Sequence, residues 1–223
     1  MSFIVAIDGP AGTGKGTITK LISKELGLVN IDTGAMYRAI TLQALREGIT
    51  DIKEKDKLIK IAKAIDIQIQ NQEDIQKVFL NGEDVTTEIR SVEVSGFVSP
   101  VSSISEIREL MVSLQRKMAE GKDVIMEGRD ITTVVFPNAN VKIYLDAEVE
   151  ERARRRYEEN KEKGLMQSYE EVLEAVKKRD YNDMHKPVGA LKIAEDAVVL
   201  DTTKMTIEEV KERVKDIILE KRK

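Results

Sequence analysis

The stretch Phe3-Ile4-Val5-Ala6-Ile7-Asp8-Gly9-Pro10-Ala11-Gly12-Thr13-Gly14-Lys15-Gly16-Thr17 carries the reading of the fold. An unbroken apolar run closed by Asp8 is the pattern of a strand buried on both faces, as in a parallel sheet. A glycine-rich turn follows, and residues 15–26 read as a helix that Gly27 stops. The turn fits G-x-x-x-x-G-K in the strand–turn–helix setting that this pattern needs. Glycines let the backbone wrap around phosphate oxygens, while successive N–H groups and the helix N-terminus point at the anion. Lys15 adds a mobile positive charge. Gly16 stands where Ser or Thr more often follows the lysine, and Thr17 comes next.

Working outward, residues 28–31 read as a second strand and 34–47 as a helix stopped by Gly48. Residues 103–120 read as a further helix, with Ser103 and Glu106 at capping-box spacing. Buried strands are expected at 123–127 and 141–146, and a last strand at 198–200. Ser168/Glu171 and Thr206/Glu209 repeat the capping-box spacing before two late helices, the last carrying Ile207, Val210, Val214, Ile217 and Ile218 on one face. Strands alternating with helices indicate an α/β fold with a parallel sheet. One segment differs. Ile67 and Ile69 alternate with Gln68 and Gln70, residues 77–80 read as a second strand, and Asn81-Gly82 signals a tight hairpin into 83–85. Residues 65–90 are expected to form a small antiparallel insert.

Composition narrows the function. The 223 residues carry 36 Lys and Arg against 40 Asp and Glu, a net charge of −4, which argues against a broad nucleic-acid surface. Without Cys there is no disulfide, thiolate nucleophile or Cys-held metal, and the single His185 excludes a multi-His metal site. The apolar run at 3–7 is far short of a membrane span, and no signal-peptide pattern opens the chain. A soluble cytoplasmic protein is expected, with no nucleic-acid or membrane partner.

Several further residues carry chemistry. Thr33 and Arg38 lie where the second strand opens into a helix, at the edge of the sheet where α/β proteins bind ligands; Thr33 is a candidate helix cap and Arg38 a candidate phosphate ligand. Glu127-Gly128-Arg129-Asp130 follows another buried strand to the same edge. Glu127 suits water-mediated contact with Mg²⁺, and Arg129 and Asp130 read either as a structural ion pair or as a pair that reads a base. Arg152, Arg154, Arg155 and Arg156 put four guanidiniums within five residues. They suit the spread charge of a transferring phosphoryl group, or a solvated helix face paired with nearby glutamates. Arg179 and Asp183 share a helix face, and His185 reads as a surface histidine.

The chain resembles the bacterial cytidylate kinases. The stretches that carry the likeness are IDGPAGTGKGT, DTGAMYRA, NGEDVTTEIR with Ser99 and Arg108 after it, EGRDITTVVFP, VKIYLDA and KKRDYNDMHKPVGALKIAEDAVVLDTT, in that order along nearly the whole chain. The GKGT ending is typical of nucleoside monophosphate kinases, and no complete guanine-reading N-K-x-D is present. The resemblance implies a P-loop three-layer fold around a parallel five-stranded sheet, with core segments 1–64, 91–151 and 165–223. It implies that the 65–90 insert lies on the monophosphate side, and that 152–164 forms a short helical lid. It implies transfer of the γ-phosphoryl group of ATP, with Mg²⁺, to CMP or dCMP. A monomer is expected by default, since no exposed apolar patch can be read from the sequence. Gly9, Pro10, Ala11, Gly12, Thr13, Gly14, Lys15, Gly16 and Thr17 would then bind ATP. Thr33, Arg38, Ser99, Arg108, Arg129, Asp130, Arg179 and Asp183 would bind the pyrimidine nucleotide. Lys15, Arg152, Arg154, Arg155 and Arg156 would be catalytic, with Thr17 and Glu127 as water-mediated Mg²⁺ contacts. Lys186 stands where some relatives have Arg, which puts a bidentate phosphate or ribose contact there in doubt, and Asn182 replaces a basic residue seen in some relatives.

The rival readings are a P-loop kinase for another small acceptor, a non-catalytic nucleotide-binding module, and an RNA-binding protein using the arginine cluster. Glutamates around that cluster and an aromatic content of 4% count against the last.

Overall fold

A computed structural model describes residues 2–72, 75–162 and 164–222. Five strands, β1 (Ile4–Asp8), β2 (Val29–Asp32), β6 (Val124–Gly128), β7 (Val141–Asp146) and β8 (Val198–Asp201), form one sheet in the order β2-β6-β1-β7-β8. Every pairing in it is parallel. β1 lies in the middle, so its run is apolar on both faces. Val5 and Ile7 pack on α1 (Lys15–Leu26) and α8 (Ile207–Arg222), whereas Ala6 packs with Ile31, Met126, Ile131 and Val135 on the other face. Gly27 ends α1 at φ 67°, as expected of a glycine stop.

The antiparallel segment consists of β3 (Ile67–Gln72), β4 (Ile75–Leu80) and β5 (Glu83–Asp84), with Asn81 and Gly82 both at positive φ in the hairpin turn. Glu73 and Asp74 of this insert, and Lys163 of the expected lid, lie outside the described residues. Packing extends well beyond 65–90. Ile67, Val78 and Leu80 share one cluster with α2 (Thr33–Arg46), α3 (Lys55–Ala64), α4 (Val92–Val101) and α5 (Ser105–Ala119). The helices α3 and α4 were not legible in the sequence. The sheet of the insert is too small to bury its apolar face without them.

Two cap expectations are corrected. The capping box at Ser103 and Glu106 does not form: α5 starts at Ser105, the Ser103 hydroxyl donates to the Pro100 carbonyl at 2.6 Å, and Glu106 pairs with Lys55 at 2.9 Å. An α4 ending just before Ser103 takes up the serine that the spacing assigned to α5. Thr33 is not the cap of α2 either. The cap is Asp32, which accepts from Ala35 N–H, and Thr33 is the first helical residue. The boxes at Ser168/Glu171 and Thr206/Glu209 form as expected.

The arginine-rich segment lies on α6 (Val149–Glu162). It packs against α7 (Tyr169–Met184) through a cluster of its own: Ala153, Val172 and Val176, flanked by Tyr157 and Tyr169. Because α7 also carries Arg179 and Asp183, this helical pair joins the lid segment to the edge of the sheet.

Candidate active site

The phosphate loop leaves the sheet between β1 and α1. A Cβ on Gly9 would lie 2.0 Å from the Leu145 carbonyl oxygen of β7, so only glycine lets the backbone pass there. Gly14 sits at the N-cap of α1 with φ 87° and no side chain caps the helix, which leaves its first N–H groups to an anion. Lys15 is buried and folded over the loop, its Nζ donating to the Pro10 carbonyl at 2.7 Å and to Thr13 Oγ1 at 3.3 Å. Burial, and next the charge of Arg129, pull the ammonium down to about 7, against the pull of Glu127 and Asp8. Thr17 is exposed on the first turn of α1.

The departure at Gly16 leaves space that the end of the Glu127 side chain occupies. A Cβ there would lie 2.9 Å from Oε1 of Glu127, so the glycine makes room for a carboxylate where other loops place a hydroxyl. Burial, with Asp32 nearby, pushes Glu127 up to about 7 despite Lys15 and Arg129.

The acceptor side is built at the end of β6. Arg129 and Asp130 are sequence neighbours but not a pair. Arg129 Nε donates to Asp183 Oδ2 at 2.9 Å, whereas Asp130 takes the Nη2 of Arg108 from α5. Asp183 also receives Lys186 at 2.9 Å, and Arg179 stands 3.9 Å away as the looser helical partner. Burial alone would raise the Asp183 carboxyl; Arg129, Lys186 and Arg179 hold it well below the usual carboxylate range. Arg108 is buried, donates Nη1 to the Ser102 carbonyl at 3.1 Å, and lies over the Tyr37 ring at 5.6 Å. Thr33 Oγ1 donates to the Glu127 carbonyl at 2.8 Å, and Ser99 lies half-buried on α4. Arg38 crosses from α2 to Ser95 Oγ at 2.8 Å and the Ile89 carbonyl at 3.2 Å.

Cations converge here. Arg38 and Arg179 are each lowered to about 10, first by burial and also by other arginines, including Arg129 and Arg156. Lys15 feels Arg129 and Arg179 in the same way. Mutual repulsion among partly desolvated cations is what a polyanion would relieve.

The lid arginines divide. Arg156 reaches this cluster electrostatically while bonded to Glu159 at 2.8 Å. Arg152 is buried and fully tied, Nε to the Ala147 carbonyl, Nη1 to the phosphate-loop carbonyl of Ala11 and Nη2 to Asp180 at 2.7 Å. Arg155 binds Glu151 and the carbonyl of Thr202 beyond β8. Arg154 is not brought to the cluster: it is largely exposed and doubly bonded to Glu151, as the solvated-face alternative expects. His185 is exposed and stacks on Tyr181.

Sequence reasoning left out four residues that the structure puts here. Lys186 links Asp183 to Ser102 Oγ at 2.9 Å, and Asp180 neutralises Arg152. Arg90 lies 3.8 Å from Asp32, and Asp8 is bonded behind the Arg129 turn. Lys186 and Asp180 carried a signal in the polar run Arg179-Asp180-Tyr181-Asn182-Asp183-Met184-His185-Lys186, and Asp8 in closing the strand before the phosphate loop.

A parallel sheet, a phosphate loop at its centre and a ring of cations facing that loop define a P-loop phosphotransferase. A gluconokinase from Sinorhizobium meliloti has the same fold, with a TM-score of 0.51 at 11% identity over 98% of this chain and 92% of its own. The cytidylate kinase family model matches residues 5–220. The cytidylate kinases of Caldanaerobacter subterraneus and Caldicellulosiruptor bescii are 53% and 50% identical to this chain over 96% of it, and over 93% and 94% of their own lengths. The chain belongs to the cytidylate kinase family, and the expected five-stranded P-loop fold and kinase class are borne out. Among the described residues no helix is long and apolar enough to cross a membrane.

Proposed function

We propose that the chain transfers the γ-phosphoryl group of ATP to CMP or dCMP, acting as a cytoplasmic monomer. The observation that carries this reading is the clustering of Arg129 and Arg179 with Lys15 of the phosphate loop, and of Arg38 with Arg129 and Arg179, where like charges disfavour one another. Two nucleotides bound end to end would place their phosphates among these charges.

In this reading residues 9–17 hold the ATP phosphates through loop N–H groups and Lys15. Arg38 takes the acceptor phosphate. Thr33, Ser99, Arg108, Arg129, Asp130, Arg179 and Asp183 line the nucleoside. Cytosine offers acceptors at O2 and N3 and a donor at N4, which Arg129 and Asp130 complement. Uracil presents an acceptor where Asp130 expects a donor, which sets a carbonyl oxygen against the carboxylate with no proton between them, so UMP is rejected. The acceptor phosphate is already an anion, so no strong general base is needed, and the chain's task is positioning and neutralisation.

The 152–164 segment acts as the lid. Its closure excludes water and so protects ATP from hydrolysis. Arg156 is the lid arginine nearest the task. Arg152 and Arg155 reach a phosphate only by exchanging their present partners.

Mg²⁺ fits this site. Glu127 packs against Gly16 of the loop with Thr17 next to it, a single carboxylate beside a phosphate cradle. Magnesium commonly takes one or two carboxylates with substrate phosphates and retained waters. When bound it supplies charge neutralisation at the transferring group.

A coupled assay of ADP release over CMP, dCMP, UMP and AMP tests the reading. It expects turnover with CMP and dCMP at least about a hundredfold more efficient than with UMP. Equal turnover across the panel, or tight ATP binding without acceptor-dependent turnover, overturns it.

A further inference from the structure

Asp8 ends β1 one residue before the phosphate loop, and its side chain is completely buried. The bonds it accepts come from the turn that follows the neighbouring strand β6, whose Gly128 stands opposite Asp8. Oδ1 takes the Ile131 N–H at 2.9 Å, and Oδ2 takes the Thr132 N–H at 2.7 Å and the Thr132 hydroxyl at 2.6 Å. Ile131 and Thr132 follow directly on Arg129 and Asp130. They open a π-turn, residues Ile131–Val135, in which Val134 and Val135 N–H return to the Asp130 carbonyl at 2.8 and 3.2 Å. The register of that turn fixes where the Arg129 and Asp130 side chains emerge.

A carboxylate suits this task in a way its neutral isostere does not. Three donors converge on two oxygens, and one of those oxygens takes a backbone and a side-chain donor together. Asparagine offers a single acceptor oxygen and turns an NH₂ towards a backbone N–H that cannot accept, so at least one buried donor loses its partner.

We propose that Asp8 is a positioning residue that holds Arg129 and Asp130 in register with the phosphate loop, so that selection of the acceptor base is set from the donor side of the sheet. This rests on the reading above, in which Arg129 and Asp130 face the base. Asp8 touches neither nucleotide in that reading and acts through the backbone of the turn.

The test is steady-state kinetics of the full chain with ATP, CMP and UMP for wild type, Asp8→Asn, Thr132→Val and Thr132→Ser. Asp8→Asn is expected to raise KM for CMP about tenfold, to move KM for ATP less than about twofold, and to narrow the kcat/KM ratio of CMP over UMP. Thr132→Val is expected to shift the same parameters in the same direction by less, and Thr132→Ser, which keeps the hydroxyl, to restore them. The proposal is overturned if the CMP-to-UMP ratio of the variants equals that of wild type, or if KM for ATP rises as much as KM for CMP. If Asp8→Asn does not fold, the Thr132 pair decides by the same criteria. A wild-type protein without preference for CMP overturns the functional reading, and this proposal with it, before any variant is compared.

Discussion

Arg129 Nε donates to Asp183 Oδ2 at 2.9 Å, tying the turn after β6 to the end of α7 across 54 positions of sequence. The Asp183 side chain is 4% exposed and is the shared anion of Arg129, Lys186 and Arg179. Asp183→Asn removes one charge and leaves three cations facing each other. It is expected to destabilise the fold by about 3 kcal/mol, measured by urea unfolding. The linkage has a definite sign. The folded carboxyl lies below the ordinary 3.8, so its contribution is present above that value and is lost as pH falls through and below it. The gap between wild type and Asp183→Asn is therefore expected to shrink below about pH 4, as melting temperatures from pH 7 down to pH 2 would reveal.

Lys15 presents the opposite balance. Its ammonium is held out of water near Arg129, so the fold gains little from its charge. Lys15→Met is expected to lower kcat by about a hundredfold or more and to leave the melting temperature within a few degrees of wild type. Near-normal turnover in a single-turnover assay would remove Lys15 from the chemistry.

The lid arginines are expected to separate in the same assay. Arg154→Ala deletes an exposed side chain bonded to Glu151, and turnover is expected to fall less than about threefold. Arg156→Ala removes a charge that already reaches the cluster and is expected to cost more than about tenfold in kcat. Arg152→Ala strands the buried carboxylate of Asp180 and is expected to lower stability by about 3 kcal/mol as well as activity. Equal effects of Arg154→Ala and Arg156→Ala on kcat would contradict this division.

Gly16 and Glu127 form a steric couple. Gly16→Ala puts a methyl 2.9 Å from Glu127 Oε1, the free end of a flexible side chain that must turn aside, and is expected to cost up to about 1 kcal/mol of stability. In a Glu127→Ala background the same change has room and is expected to cost much less. A double-mutant cycle in urea measures the difference, and additive effects would show that the two do not interfere.

Much of the fold was legible because it is written in short-range patterns. The 3–7 run, the glycine turn and the helix to Gly27 each follow from neighbours in sequence, and the structure reproduces the helix limits at Lys15 and Leu26. Asn81-Gly82 specified its own turn for the same reason. The helices α3 and α4 were missed because what holds them is a shared core with the insert, which no local pattern records. The Ser103 spacing misled because a serine that fits one helix start was already bonded to the end of another.

The sequence by itself determined that a strand, a phosphate cradle and a helix follow one another, and which polar residues stand at strand ends. Backbone stereochemistry and side-chain periodicity act over a few residues, so these features need no distant partner. Which charges pair was decided only by the tertiary structure. Arg129 and Asp130 look like a pair in sequence, yet each finds its partner elsewhere, at Asp183 and Arg108. Adjacent residues near a strand end point in different directions, and the low-dielectric interior rewards whichever opposite charge the fold brings within hydrogen-bonding reach.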